Sequence, residues 1–277
     1  PDNAAGLNAD DMVDKSMGDV ISGTRMASNE KGWTWTALRK LNYYLANSHN
    51  CTDEAVRTKY DGVAYFFRAY FYYEKVRRYG DVPWYDEPID PDDDEQLYKG
   101  RDPRDYVMQK VLEDLDFAAT WCSKASKYVN TNVINRYVAL ALKSRICLYE
   151  GTYRKYHDLN LDGHDANYYL DLAAKAALEI IEKGPYKLYQ TGHPEKDYLT
   201  LFAQKDASPE EYILAIKFDY AIGARHNASA YTLLPTQGRP GLTRKFINTY
   251  LMDNGTAFTD KPGWQEMQFI EETDGRD

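Results

Sequence analysis

The chain has no uninterrupted apolar run of the roughly 18 residues that a membrane-crossing helix needs. It also lacks the sequence signatures of common catalysts. There is no Gly-x-Ser-x-Gly elbow, no His-Glu-x-x-His pair and no Gly-x-x-x-x-Gly-Lys-Ser/Thr loop. Histidine is scarce, and His49, His157, His164, His193 and His226 show no metal-ligand spacing. Cys51, Cys122 and Cys147 are odd in number and form no Cys-x-x-Cys pair, so neither a zinc site nor a disulfide framework is indicated. They read as small buried hydrophobes. An excess of positive charge is missing too. With 34 basic against 43 acidic residues the net charge is −9, which argues against a nucleic-acid partner.

Aromatic rings are what the chain has in quantity: 25 Tyr, 9 Phe and 5 Trp. Tyrosine joins an apolar face to a polar rim, so it serves both core packing and contact with partly polar ligands. The densest stretch is 64-AYFFRAYFYYEKVRRYGDVPWYDEP-88. Apolar residues fall on nearly every face of a helix over about 53–79, which predicts packing on most sides. Thr52 is its expected N-cap, and Gly80 followed by Pro83 is its stop.

Three- and four-residue spacing predicts further helices. One begins after Gly32 with Trp33, Thr36, Leu38, Leu41, Tyr44 and Leu45, and ends in 47-NSHN-50. Others cover about 104–122, about 133–150 with a stop at Gly151, and about 166–183 with a stop at Gly184-Pro185. Shifting the second helix by 75 residues aligns Ala64 with Ala139, Arg68 with Lys143 and Phe71 with Ile146. Paired helices with Ala at the seams point to a tetratricopeptide-like α-α superhelix. The domain organisation expected is an irregular segment at 1–30, the helical region at 31–185, and an irregular, loop-rich layer at 186–277. Within the last, Glu210 to Phe218 reads as a short strand and about 242–251 as a helix.

Arg68-Ala69-Tyr70-Phe71-Tyr72 followed by Tyr79-Gly80-Asp81-Val82-Pro83 resembles the hallmark of the SusD/RagB family of outer-membrane nutrient-binding lipoproteins of Bacteroidetes. Trp35 to Asn47, Ala139 to Thr152, Tyr168 to Leu188, Glu210 to Phe218 and 253-DNGT-256 resemble other pieces of that family, in order. The resemblance implies a surface-exposed outer-membrane lipoprotein that binds oligosaccharide or polysaccharide without catalysis and passes it to a SusC-like TonB-dependent transporter. It further implies that this sequence is a fragment, with the lipid-bearing N-terminal lipobox and a C-terminal part lying outside it. The rival readings are a tetratricopeptide-type adaptor that binds protein or peptide and an α/α glycosidase.

Sugar recognition needs flat apolar faces for ring C–H groups and polar groups for hydroxyls. Trp33, Trp35 and Arg39 open the first helix, at the place where the family's starch binders carry a contacting Trp. Tyr231 and Trp264 lie in the loop-rich part and are the candidates for a second wall. Trp84 and Tyr85 read as structural. No cofactor is expected, with calcium the one candidate: in 158-DLNLDGHD-165, Asp158, Asn160 and Asp162 match the start of an EF-hand loop. The twelfth position is Tyr169 where a bidentate Glu is required, so an Asx-rich turn competes with the calcium reading.

Overall fold

The computed structural model describes residues 12–13, 22–26, 32–123, 131–208, 210–221, 223–225, 228–234, 236, 241–268 and 270–276. The protein is mainly α-helical, with a tetratricopeptide-like arrangement. Two compact units are present: Thr34–Lys217, and a smaller one combining Pro1–Trp33 with Phe218–Asp277.

The larger unit contains α1 (Thr36–Asn47), α2 (Glu54–Tyr79), the single turn α3 (Asp94–Leu97), α4 (Arg104–Trp121), α5 (Arg136–Tyr156), α6 (Ala166–Lys183) and α7 (Pro194–Ala203). Helix starts are fixed by acceptors for otherwise unpaired N–H groups. The Asp53 carboxylate accepts from Val56 N–H, Asn135 from Tyr137 and Val138, and Asp165 from Tyr168. Asp53, one residue beyond the expected Thr52, is therefore the cap of α2. Its other end is Gly80, at φ 73°.

α2 packs against α1 and α4, α4 against α5, and α5 against α6. Ala64, Ala69, Ala118, Ala139, Ala173 and Ala176 are buried where small side chains let helices approach. Leu38, Phe66, Tyr72, Val76, Val107, Met108, Leu115, Ile146 and Tyr169 fill the core between them. The hallmark helix is not enclosed on every side as its composition suggests. Phe67 and Tyr70 are 43% and 46% exposed, while Ala69, Tyr72 and Tyr73 are at or below 5%.

Gly151 does not stop α5, which runs on to Tyr156. A Cβ there would sit 2.8 Å from Leu170 Cγ, so the residue serves the close approach of α6 and helix geometry continues through it. The run Glu210 to Phe218 is not a strand. It is irregular, held by Lys187 N–H to Glu210 O and Ala215 N–H to Thr131 O, with Ile213 packed on the core.

In the smaller unit, Met12–Val13 (β1) pairs antiparallel with Gly241–Leu242 (β2). Short helices α8 (Ala228–Leu233), α9 (Arg244–Ile247) and α10 (Ile270–Thr273) accompany them. The helix expected over 242–251 is only the single turn α9. Phe258 is fully buried, and the Arg276 guanidinium lies 3.8 Å from its ring centroid while bonding the carbonyl of Ile247 and Asn248 Oδ1. Arg276 is thus tied into this unit.

Candidate functional site

The segment that follows Gly80 folds back over α2. Val82 pairs with Asp102, and Asp102 Oδ2 accepts from Trp84 N–H at 2.7 Å. Tyr72 donates its hydroxyl to Tyr85 O at 3.2 Å and accepts from Tyr85 N–H at 2.6 Å. Asn42 on α1 donates to the carbonyls of Tyr85 and Glu87. Trp84 stacks on Tyr72 with ring centroids 4.2 Å apart and is 4% exposed. Residues 82–87 therefore form a strap that ties α1 and α2 to the segment leading into α4, and its aromatic residues are engaged in packing.

Trp35 immediately precedes α1 and meets this strap from the other side. Its ring lies 5.6 Å from Phe71, 6.3 Å from Tyr72 and 5.7 Å from Tyr85. The Lys75 ammonium sits 5.3 Å from the Trp35 ring, 5.1 Å from Phe71 and 5.7 Å from Tyr79. Burial among these rings lowers the Lys75 pKa. The cage holds a cation of the chain's own, and Trp35 is a wall of it.

The other residues singled out from sequence are divided between the units. Arg39, on α1, is exposed in the larger unit with Trp35. Trp33, 41% exposed, belongs to the smaller unit together with Tyr231 and Trp264. Trp264 opens a 3-10 turn; Arg244 lies 5.5 Å from its ring and donates to its carbonyl at 2.7 Å. Tyr231 is within α8. The boundary between the two units falls between Trp33 and Thr34.

Residues 158–165 form a tight turn. Leu161 bridges His164, with His164 N–H donating to Leu161 O at 2.8 Å. Asp162 and Gly163, at φ 50° and 82°, are the two central residues, as an Asp-Gly hairpin turn requires. Asp165 caps α6, and His164 Nδ1 lies 2.9 Å from Asp105 Oδ2. Among the described residues no group of three or more His, Cys, Asp or Glu side chains is arranged to hold a metal ion.

Buried charge is concentrated in two places, each internally paired. Arg68 Nε and Nη2 both reach Asp114 at 2.7 Å. Arg104 bonds Glu150 at 2.7 Å, Glu150 bonds Arg154 at 2.9 Å, and Arg154 bonds Asp105 at 2.9 Å. Arg104 and Arg154 also stand over the rings of Tyr153 and Tyr169. These carboxylates are neutralised within the helix stack, as structural ion pairs are.

Residues 33–148 match the sequence profile of a SusD-like family described as "Starch-binding associating with outer membrane". That segment carries the family's pattern, and the fold of the chain is the one found in solved SusD-like proteins. A SusD-like protein from Bacteroides fragilis NCTC 9343 superimposes with a TM-score of 0.74 at 20% identity, covering 100% of this chain and 55% of its own. A SusD superfamily protein from Parabacteroides distasonis ATCC 8503 gives 0.65 at 21% identity, covering 88% and 52%. A protein solved with a xylogluco-oligosaccharide gives 0.58 at 18% identity, covering 79% and 42%. The chain thus spans about half the length of the solved structures it matches. No protein of curated function matches the sequence.

Proposed function

We propose that the protein binds oligosaccharide or polysaccharide without turning it over, at the outer membrane of its cell, and delivers it to a SusC-like TonB-dependent transporter. The observation that carries this reading is the match of residues 33–148 to a family described as starch-binding and outer-membrane-associated. The related fold solved with a xylogluco-oligosaccharide supports it. Anchoring would be through an N-terminal lipid, making the protein a surface-exposed lipoprotein.

Chemistry on the chain agrees with capture rather than turnover. A hydrolase of glycosides works with two carboxyl groups facing each other across the scissile bond. Here the buried carboxylates Asp105, Asp114 and Glu150 each face an arginine within the helix stack. Trp33 and Arg39 offer an exposed ring and an exposed guanidinium, and Trp264 and Tyr231 are the aromatic candidates in the smaller unit. Trp35 acts here as support for the strap.

Isothermal titration against a panel of soluble polysaccharides, paired with analysis of the sugar products, tests the reading. Binding with the saccharide recovered intact is expected. Release of shortened sugar, or affinity for peptides and none for any polysaccharide, would overturn it.

A further inference from the structure

α2 has two unlike faces. Ala69, Tyr72 and Val76 turn into the core, and Arg68 on the same side reaches Asp114 of α4. Along the opposite side Val56, Tyr60, Val63, Phe67 and Tyr70 follow one another at steps of four, three, four and three residues. That alternation keeps a seam on one side of a helix and is how two helices pack along their length. Val56 and Tyr60 are 42% and 53% exposed, Phe67 and Tyr70 are exposed with them, and Val63 is half-buried. A contiguous apolar seam open to water marks an interaction surface.

The seam is also preformed. Asp53 and Gly80 fix the two ends of α2. The Phe67 ring rests edge-on against buried Phe66, with centroids 5.2 Å apart at 84°. A partner helix would therefore find the face already shaped, which lowers the ordering cost of association.

Charge along α2 points to what fits it. On the seam itself no charged residue lies between Val56 and Tyr70. Asp53 and Glu54 stand beyond its N-terminal end, and Arg77 and Arg78 beyond its C-terminal end, where Arg77 also pairs with Glu74 at 2.8 Å. The matching helix has bases opposite Asp53 and Glu54 and acids opposite Arg77 and Arg78. α2 is itself such a helix when turned end to end. With facing positions adding up to 130, Val63 meets Phe67, Tyr60 meets Tyr70, Val56 meets the stem of Glu74 and Asp53 meets Arg77. Each contact is made twice, as an isologous interface requires. Other alignments fail. A parallel pair sets Asp53 against Asp53 and Arg77 against Arg77, and sliding the antiparallel pair by seven residues leaves Asp53 opposite Tyr70 or Arg77 opposite Tyr60.

We propose that two copies of the protein associate through this face, their α2 helices antiparallel about a two-fold axis level with Tyr65. The apolar seam drives the association, and the charges at its ends set direction and register. The dimer is independent of glycan capture: either can hold without the other.

Sedimentation equilibrium of the full chain over about 1–100 µM tests it. Wild type is expected to dimerise in that range. Phe67→Glu, with unchanged circular dichroism, should weaken the dimer by about thirtyfold or more. Tyr60→Lys and Tyr70→Glu should each weaken it, and both in one chain should restore it, because each new charge then faces its opposite across the axis. Register is read in a Cys51→Ser background with a short bismaleimide. Tyr60→Cys mixed with Tyr70→Cys should cross-link. Tyr60→Cys alone should not, its two copies standing about 15 Å apart along the helices. A monomer throughout the range overturns the proposal, as does a dimer that Phe67→Glu leaves intact. Linking of Tyr60→Cys to itself in preference to Tyr70→Cys overturns the antiparallel pairing.

Discussion

Arg68 and Asp114 meet through two parallel hydrogen bonds of 2.7 Å between α2 and α4, with both side chains below one-tenth exposed. Burial raises the Asp114 carboxyl above the usual range, and the guanidinium works against that rise. The pair is costly to bury and costlier to break, since removing one member strands the other. Arg68→Met is expected to destabilise the protein by about 3–5 kcal/mol in urea unfolding. Arg68→Met combined with Asp114→Leu should recover most of that loss. A double variant as unstable as the single one would refute the account.

Thiol reactivity should separate the three cysteines. Burial pushes the Cys122 thiol up to about 11 and Cys147 up to about 12, and both are buried, whereas Cys51 is half-exposed. The thiolate is the reacting form, so Cys122 and Cys147 are expected to be silent toward an aromatic disulfide reagent at neutral pH. Native protein should release signal from Cys51 alone, and denatured protein from all three.

Acid stability carries the mark of Asp197. The Thr191 hydroxyl and N–H both donate to its carboxylate and hold its pKa below the usual value. A depressed pKa contributes stability that is present above the ordinary carboxylate range and lost as pH falls through the lowered value. Wild type should therefore be more stable than Asp197→Asn at pH 7, with the gap shrinking below about pH 4. Urea midpoints measured at several pH values check this.

Trp33 and Trp35 should part ways under substitution. Trp35→Ala opens the cage around Lys75 and is expected to cost about 2–3 kcal/mol of stability. Trp33→Ala, at an exposed ring, should change stability by no more than about 0.5 kcal/mol. Melting curves distinguish them, and any ligand titration of Trp35→Ala must be read with its folded fraction in hand.

Calcium dependence can be tested at the turn 158–165. Asp162 and Gly163 close it through its own backbone hydrogen bond, without needing an ion. Chelator should leave the melting temperature unchanged. A drop on chelation that calcium restores would assign Asp158, Asn160 and Asp162 as ligands.

The helices were legible because their burial pattern is written at three- and four-residue steps and their ends carry local chemistry, as at Gly80 and Lys183-Gly184. The misses share one cause. Gly151 reads as a stop locally, yet its neighbour is Leu170 on another helix. Glu210 to Phe218 has strand composition, but a strand needs a pairing partner that no sequence window displays. α7 begins with Pro194 at its first turn, a good signal, but exposes Tyr198, Leu199 and Phe202 and so lacks the buried stripe that reveals a helix. For the candidate site the sequence offers less. Trp35 looks like Trp33 in sequence, and only packing tells a cage wall from an exposed ring.

The strap over α2 has a consequence for the order in which the chain acquires structure. Its bonds join residues 13 to 45 positions apart, from Tyr72–Tyr85 to Asn42–Glu87. Such short loops close quickly and at small entropic cost. During synthesis the strap could be fastened once Asp102 has emerged, before α5 and α6 exist. Helices added after Asp102 would then meet an edge already closed by the strap.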